Sequence, residues 1–328
     1  MRKILYGVEP GQGLLADASP EAVGRSLRDL GCDAVFTHAT DPAWVSGLRE
    51  AGLKVYTAIG IFAGQGLWER FPGSRPITAE GEPAPREEWY EPAIPTHLDL
   101  RRARLEQIAA VARSAEFDGL WLDFIRWPAR WERPRPKLYE SSFDPITLGQ
   151  FQQDLHIRLP DHLCSPGEQA AWILDHMAQA WYTWRCQQIV SFVAEARKRL
   201  SAIRPGALLG IFIVPWTDED HQDGLIRIVG QDPRLLCPHV DVFSPMTYHR
   251  LCGRDPRWPG EVTMWLAHRC QRPVWPIIEC LEPPTSYPAE EFMTTAREAT
   301  RASGGALMCF KADTLLAHQE HLAAWRQL

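Results

Sequence analysis

Hydrophobic and polar positions alternate between two periods along the 328 residues. Short apolar runs of strand length recur between longer stretches whose apolar residues return every three or four positions. The strand-like runs fall at residues 4–9, 33–38, 54–62, 120–123, 208–215, 240–248, 274–281 and 306–311. Helical patterns begin at Ser19-Pro20-Glu21, a capping residue followed by a first-turn proline, and continue at 42–52, 98–116, 223–229, 261–271, 289–302 and 315–325. Residues 168–201 read as one helix of roughly nine turns. Two long stretches rich in proline and glycine follow the third and fourth strands: 63–97, with Trp68, Trp89 and Tyr90, and 129–167, with Trp131. Paired strands and helices with no turn-rich linker between them predict an α/β fold, a single (β/α)8 barrel over residues 1–328. A doubly wound open sheet is the competing architecture.

A barrel places its site at the C-terminal ends of its strands. Those ends carry Glu9, His38, Asp123 with Arg126, Trp216 with Asp218, Tyr248 with His249, Glu279, and Lys311 with Asp313. The ring is acidic, polar and aromatic, and the loops after strands three and four would wall it. Its centre is the segment Phe117-Asp-Gly-Leu-Trp-Leu-Asp-Phe-Ile-Arg-Trp-Pro128. A buried apolar run there ends in a carboxylate, a guanidinium and an indole, and Pro128 ends further pairing. A structural Asp123–Arg126 ion pair would explain the charges alone; a site with Asp123 kept ionised by Arg126 would explain the charges and the place. Asp118, at the opposite end of the run, reads as a turn residue.

The segment Asp118 to Pro128 resembles a D-G-x-x-x-D-[YF]-[IV]-R-[YFW]-P signature of uncharacterised bacterial glycosyl-hydrolase-like TIM-barrel families. Trp181-Tyr182-Thr183-Trp184-Arg185 and Phe243-Ser244-Pro245-Met246-Thr247-Tyr248 are similar to further segments of the same families. The resemblance implies a barrel and glycoside hydrolysis, with Arg185 a suspected bridge to the site or a helix-face ion pair.

Glycoside hydrolysis needs two carboxyl groups, one to protonate the leaving oxygen and one to act as nucleophile or base. Asp123 is the first. Glu279 is favoured as the second, because several retaining families place their carboxylates on strands four and seven. Those families carry Asn-Glu on strand four where Leu122-Asp123 stands here. Asp218 is the rival, and Glu279 can alternatively serve as a substrate hydrogen-bonder. Glu9, His38, Arg126, Tyr248 and Lys311 are candidate substrate contacts. Trp127, Trp131 and Trp216 are candidate stacking platforms, from a chain holding 14 tryptophans. A carbohydrate-binding barrel without catalysis is the alternative function.

Composition narrows the remaining classes. Hydrophobic residues at 45% and charged residues at 23% are ordinary for a globular protein. A net charge of −6 without a basic run gives no support to nucleic-acid binding. No apolar stretch reaches membrane-spanning length. The start Met1-Arg2-Lys3 enters a strand directly, so a cytoplasmic location is expected unless a leader has been removed. Eight cysteines without a C-x-x-C pair read as buried thiols. No metal and no cofactor are expected. Gly11-Gln12-Gly13 imitates a dinucleotide fingerprint, but the helix start comes only at Ser19. Gly304-Gly305 precede strand eight, the wrong face for a phosphate site. There is no H-x-H after strand one and no G-x-S-x-G, and His318 with His321 reads as surface.

Overall fold

A computed structural model of the chain describes residues 1–86, 90–136, 138–282 and 285–328, so Trp89 lies outside the described residues. Eight parallel strands form the sheet: β1 Arg2–Tyr6, β2 Ala34–Phe36, β3 Lys54–Gly60, β4 Gly119–Asp123, β5 Leu208–Ile213, β6 Val242–Pro245, β7 Ile277–Glu279 and β8 Ala306–Phe310. β1 to β6 pair in chain order, β8 lies against β1, and β7 against β8. Parallel bridges Phe243–Val274 and Met246–Ile277 join β6 to the β7 segment and close the ring. The fold is the (β/α)8 barrel, with helices around it.

Strand parity sorts the core. Tyr6, Phe36, Trp121 and Phe212 touch one another across the interior, Tyr6–Phe36 at 5.4 Å and Phe36–Trp121 at 5.0 Å between ring centroids. Their neighbours Leu5 and Val35 pack outward with Leu307 and Cys309 against the surrounding helices. Trp121 fills the barrel because β5 offers Gly210, where a Cβ would stand 2.0 Å from the indole. The indole nitrogen donates to Ser244 Oγ at 3.0 Å. The same parity carries Tyr6, Asp123, Glu279 and Phe310 to the inner face at the top. Tyr6 is in register with Phe310, and Phe310 with Glu279.

The two long loops are partly structured. The first holds a short helix, Leu67–Arg70, and an antiparallel pairing of Ala63–Gly64 with Glu91–Pro92. The second holds the helix Pro145–Leu155, started by Asp144, whose carboxylate accepts from Thr147 N at 2.9 Å. The loops also clasp each other: Thr78 bridges Ser141, and the Tyr90 hydroxyl donates to Ala129 O at 3.2 Å. The single helix expected at 168–201 is two, Pro166–His176 and Ala178–Ile203, parted at Met177 (φ −137°, ψ 20°).

His321 is buried, not at the surface. Its Nε2 lies 2.7 Å from Tyr287 O and its Nδ1 3.2 Å from Cys280 Sγ, so its polar atoms are matched inside the core. All eight thiols are free, and Cys164 is exposed where a buried thiol was expected. Among the described residues no helix is long and apolar enough to cross a membrane.

Candidate active site

Asp123 ends β4 facing inward, half-buried, where solvent still reaches it. The next residue, Phe124, takes a left-handed backbone (φ 49°), unusual for an aromatic residue, and its N–H donates to Asp123 Oδ1 at 2.7 Å. Crowding by protein pushes the Asp123 carboxyl up to about 6, against the pull of the Phe124 N–H and the Arg126 charge. Arg126 makes no hydrogen bond to Asp123, so the expected ion pair acts only at a distance. It is buried, donating to Ala129 O at 2.7 Å and Tyr90 Oη at 3.3 Å, and its role is to hold the loop.

Glu279 also faces inward, but it is 0% exposed. Arg250 N donates to its Oε1 at 2.7 Å, and His249 Nδ1 lies 3.3 Å from the same oxygen. His249 Nε2 meets Glu291 Oε1 at 2.9 Å, and the Arg250 guanidinium pairs with Glu291. Glu279 Oε2 is buried without a hydrogen bond. Burial pushes this carboxyl up to about 8, against the pull of Arg250 N–H. Tyr248 stands near both acids: burial raises its hydroxyl pKa, and the charges of Asp123 and Glu279 add to that rise.

Several expected contacts lie elsewhere. Asp218 turns outward, accepting from Trp265 Nε1 at 3.1 Å and pairing with Arg269 on the helix Trp258–Cys270, so it does not join Asp123. Glu9 is saturated: Thr37 Oγ1, His38 N, His38 Nδ1 and Ala39 N all approach it at 2.8–3.2 Å. A carboxylate with that many donors has nothing left for a sugar; it pins the ends of β1 and β2 together. His38 remains half-exposed, with Nε2 3.0 Å from Tyr6 Oη. Lys311 reaches toward Glu282 at 3.9 Å, at the edge of a groove of about 650 Å³ lined by Leu14, Asp313 and His318.

The three tryptophans offer no open face. Trp127, Trp131 and Trp216 are 0%, 1% and 3% exposed. Trp127 donates to Arg185 O at 3.1 Å and lies under the Arg185 guanidinium at 4.7 Å. Arg185 is fully buried and caps the carbonyls of Arg227 and Ile228, so it ties the long helix to the loop after β5 and forms no surface ion pair.

Three residues emerge that sequence reasoning missed. Phe310 ends β8 at 37% exposure, touching Tyr6 and Tyr248 at 5.4 and 5.6 Å, and keeps part of its ring open to solvent. Tyr6 lies beneath it. Parity with Ile4 and Met308 would have found both. Glu132 sits in the β4 loop with Oε2 buried and unbonded, 3.8 Å from Arg130 Nε, and its charge raises the Asp123 pKa. No periodic signal marks it. A cavity of about 720 Å³ opens at the other face, between Arg49, Lys54, Arg113 and Arg204. Lys54 begins β3, so this is the end barrels use for stability and not for chemistry.

No family model matches the chain, and no curated protein matches its sequence. Solved structures do match its fold. The chain is similar to the glycoside hydrolase domain of PgaB (BpsB) from Bordetella bronchiseptica, with a TM-score of 0.72 at 15% identity over 99% of this chain and 98% of that one. It is also similar to β-galactosidases from the psychrophilic Marinomonas ef1 (TM-score 0.66, 11% identity, 95% of this chain) and the haloarchaeon Halorubrum lacusprofundi (0.63, 10%, 95%). The chain spans about half the length of those two, 54% and 52%.

Proposed function

We propose that this chain is a glycoside hydrolase that cleaves a poly- or oligosaccharide at the mouth of its barrel. The observation that carries the reading is Asp123: an inward, solvent-reached carboxyl at the end of β4, on the same inner face as Glu279. The two environments hold different proton affinities, about 6 for Asp123 and about 8 for Glu279. Near neutral pH the first is largely ionised and the second protonated, the division of labour that acid–base glycoside cleavage requires.

Asp123 then attacks the anomeric carbon or activates water, and Glu279 protonates the leaving oxygen. Phe310 stacks on the sugar face. Glu279 is fully buried, so it reaches the substrate only when the side chains over it move aside; Glu132, on the loop after β4, is the alternative acid. The fold neighbours, a glycoside hydrolase domain and β-galactosidases, support the reaction class.

A second reading, a carbohydrate-binding barrel without catalysis, is favoured by the complete burial of Glu279. A panel of polysaccharides and oligosaccharides offered to wild type, Asp123→Asn and Glu279→Gln separates them. The hydrolase reading expects turnover by wild type and a loss of about a hundredfold or more in Asp123→Asn. Equal turnover by both removes Asp123 from the chemistry. Saturable glycan binding with no turnover by wild type establishes the binding reading instead.

A further inference from the structure

Tyr6 was unmarked in the sequence and enters no step above, yet its hydroxyl, at the top end of β1 against half-exposed His38, lies in a chain of defined polarity. Glu9 is held below the usual carboxylate range: burial works against its charge, but the hydrogen bonds from His38 and Thr37 outweigh it. An ionised carboxylate only accepts, so His38 Nδ1, 2.9 Å from Glu9 Oε1, carries the ring proton. In the neutral imidazole Nε2 is then an acceptor, and Tyr6 Oη at 3.0 Å is the donor that meets it. The Tyr6 proton is spent on His38. What the phenol oxygen has left to offer is lone pairs.

We propose that the Glu9–His38 pair makes Tyr6 a fixed acceptor beside Asp123, so that the site selects a sugar presenting a hydrogen-bond donor, a hydroxyl or an ammonium, at that point. Tyr6 is wedged between Phe36 and Phe310 and cannot turn away, with centroids 5.4 Å from each. The titratable groups facing this chain are Glu9, Asp123 and Tyr248, with Arg126 and Glu132 acting through Asp123. Protonating His38 reverses the polarity. Nε2 becomes a donor to Tyr6, whose own O–H is then freed for another acceptor.

The hydrolase reading underlies only the kinetic half of the test. In the full chain labelled with ¹⁵N-histidine, His38 is identified by the resonance lost in His38→Gln. At pH 8 it is expected as the Nδ1–H tautomer, with Nε2 shifted by an accepted hydrogen bond. Tyr6→Phe should keep the tautomer and return Nε2 to the position of a free acceptor nitrogen. A His38 found as the Nε2–H tautomer, or an Nε2 resonance unmoved in Tyr6→Phe, overturns the proposal whether or not the protein hydrolyses glycans. With a hydrolysed oligosaccharide, Tyr6→Phe should raise KM about threefold to tenfold, the worth of one neutral hydrogen bond, with kcat little changed. An unchanged KM overturns the substrate contact while leaving the tautomer result to stand for itself.

Discussion

The indole of Trp131 lies flat against the ring of Tyr248, centroids 5.9 Å apart and planes 19° from parallel. Both side chains are buried. Trp131 Nε1 is buried without a hydrogen bond, so packing holds the indole. Trp131→Ala should therefore cost about 3–5 kcal/mol in urea unfolding, the usual loss for a buried large aromatic. A cost below about 1 kcal/mol would mean the indole is not packed as described.

The Glu279 carboxyl has a consequence for stability against pH. Burial raises Glu279 from 4.5 to about 8, so the folded state binds its proton more tightly than the unfolded state. Below the unfolded value both states are protonated and the group costs nothing. Between that value and the folded one the unfolded chain releases the proton first, so stability falls as pH rises and stays lowered above. Glu279→Gln should remove this slope, making the variant the more stable protein at pH 8 and little different at pH 4. Thermal melts across that range decide it. A wild-type advantage that grows with pH would show the carboxylate to be favourably paired.

The barrel was legible because buried parallel strands are short apolar runs and the segments between them are amphipathic. The break at Met177 was not, since neither glycine nor proline marks it. Glu9 misled for a physical reason: all four of its hydrogen bonds come from residues 37–39, two of them from backbone N–H groups that no side-chain pattern displays. Tryptophan abundance misled as well. Loops after β3 and β4 that clasp each other carry their indoles inward, and count says nothing about direction. Asp123 was legible as an end-of-strand carboxylate, whereas its distance from the Arg126 guanidinium depended on where the loop carbonyls fell.

If Asp123 and Glu279 are the acting pair, kcat/KM should follow a bell in pH, its acid limb near 6 and its basic limb near 8. The acid limb belongs to ionisation of Asp123, and the basic limb to loss of the Glu279 proton. Glu279→Gln should abolish the basic limb together with most turnover. A profile that keeps its basic limb in that variant assigns the acid elsewhere, with Glu132→Gln the next variant to measure.

Arg185 is a structural bracket, and its geometry makes the exchange for lysine non-conservative. The guanidinium spans two carbonyls, Arg227 O and Ile228 O, while covering Trp127. Lysine keeps the charge but lacks the planar fork, so one buried carbonyl loses its partner. Arg185→Lys should lower stability by about 1–3 kcal/mol, and Arg185→Ala by about 3–5 kcal/mol. Denaturant titration reads both. Equal, small losses would return Arg185 to the role of an ordinary helix residue.

Phe310 separates sugar binding from stability more cleanly than any tryptophan here. Among the described residues it is the inner-face aromatic with more than a third of its surface open, at 37%, so removing the ring leaves less cavity than a fully buried one would. A stacked ring contributes about 0.5–1.5 kcal/mol beyond its area, equivalent to roughly twofold to twelvefold in affinity. Phe310→Ala should weaken glycan binding by that factor in calorimetry while its melting temperature stays within a few degrees of wild type. Phe310→Tyr should bind as wild type. The opposite pattern, intact affinity with a collapsed melting temperature, would make the ring a structural support for Tyr6 and Tyr248 and move the sugar's seat toward the groove beside Asp313.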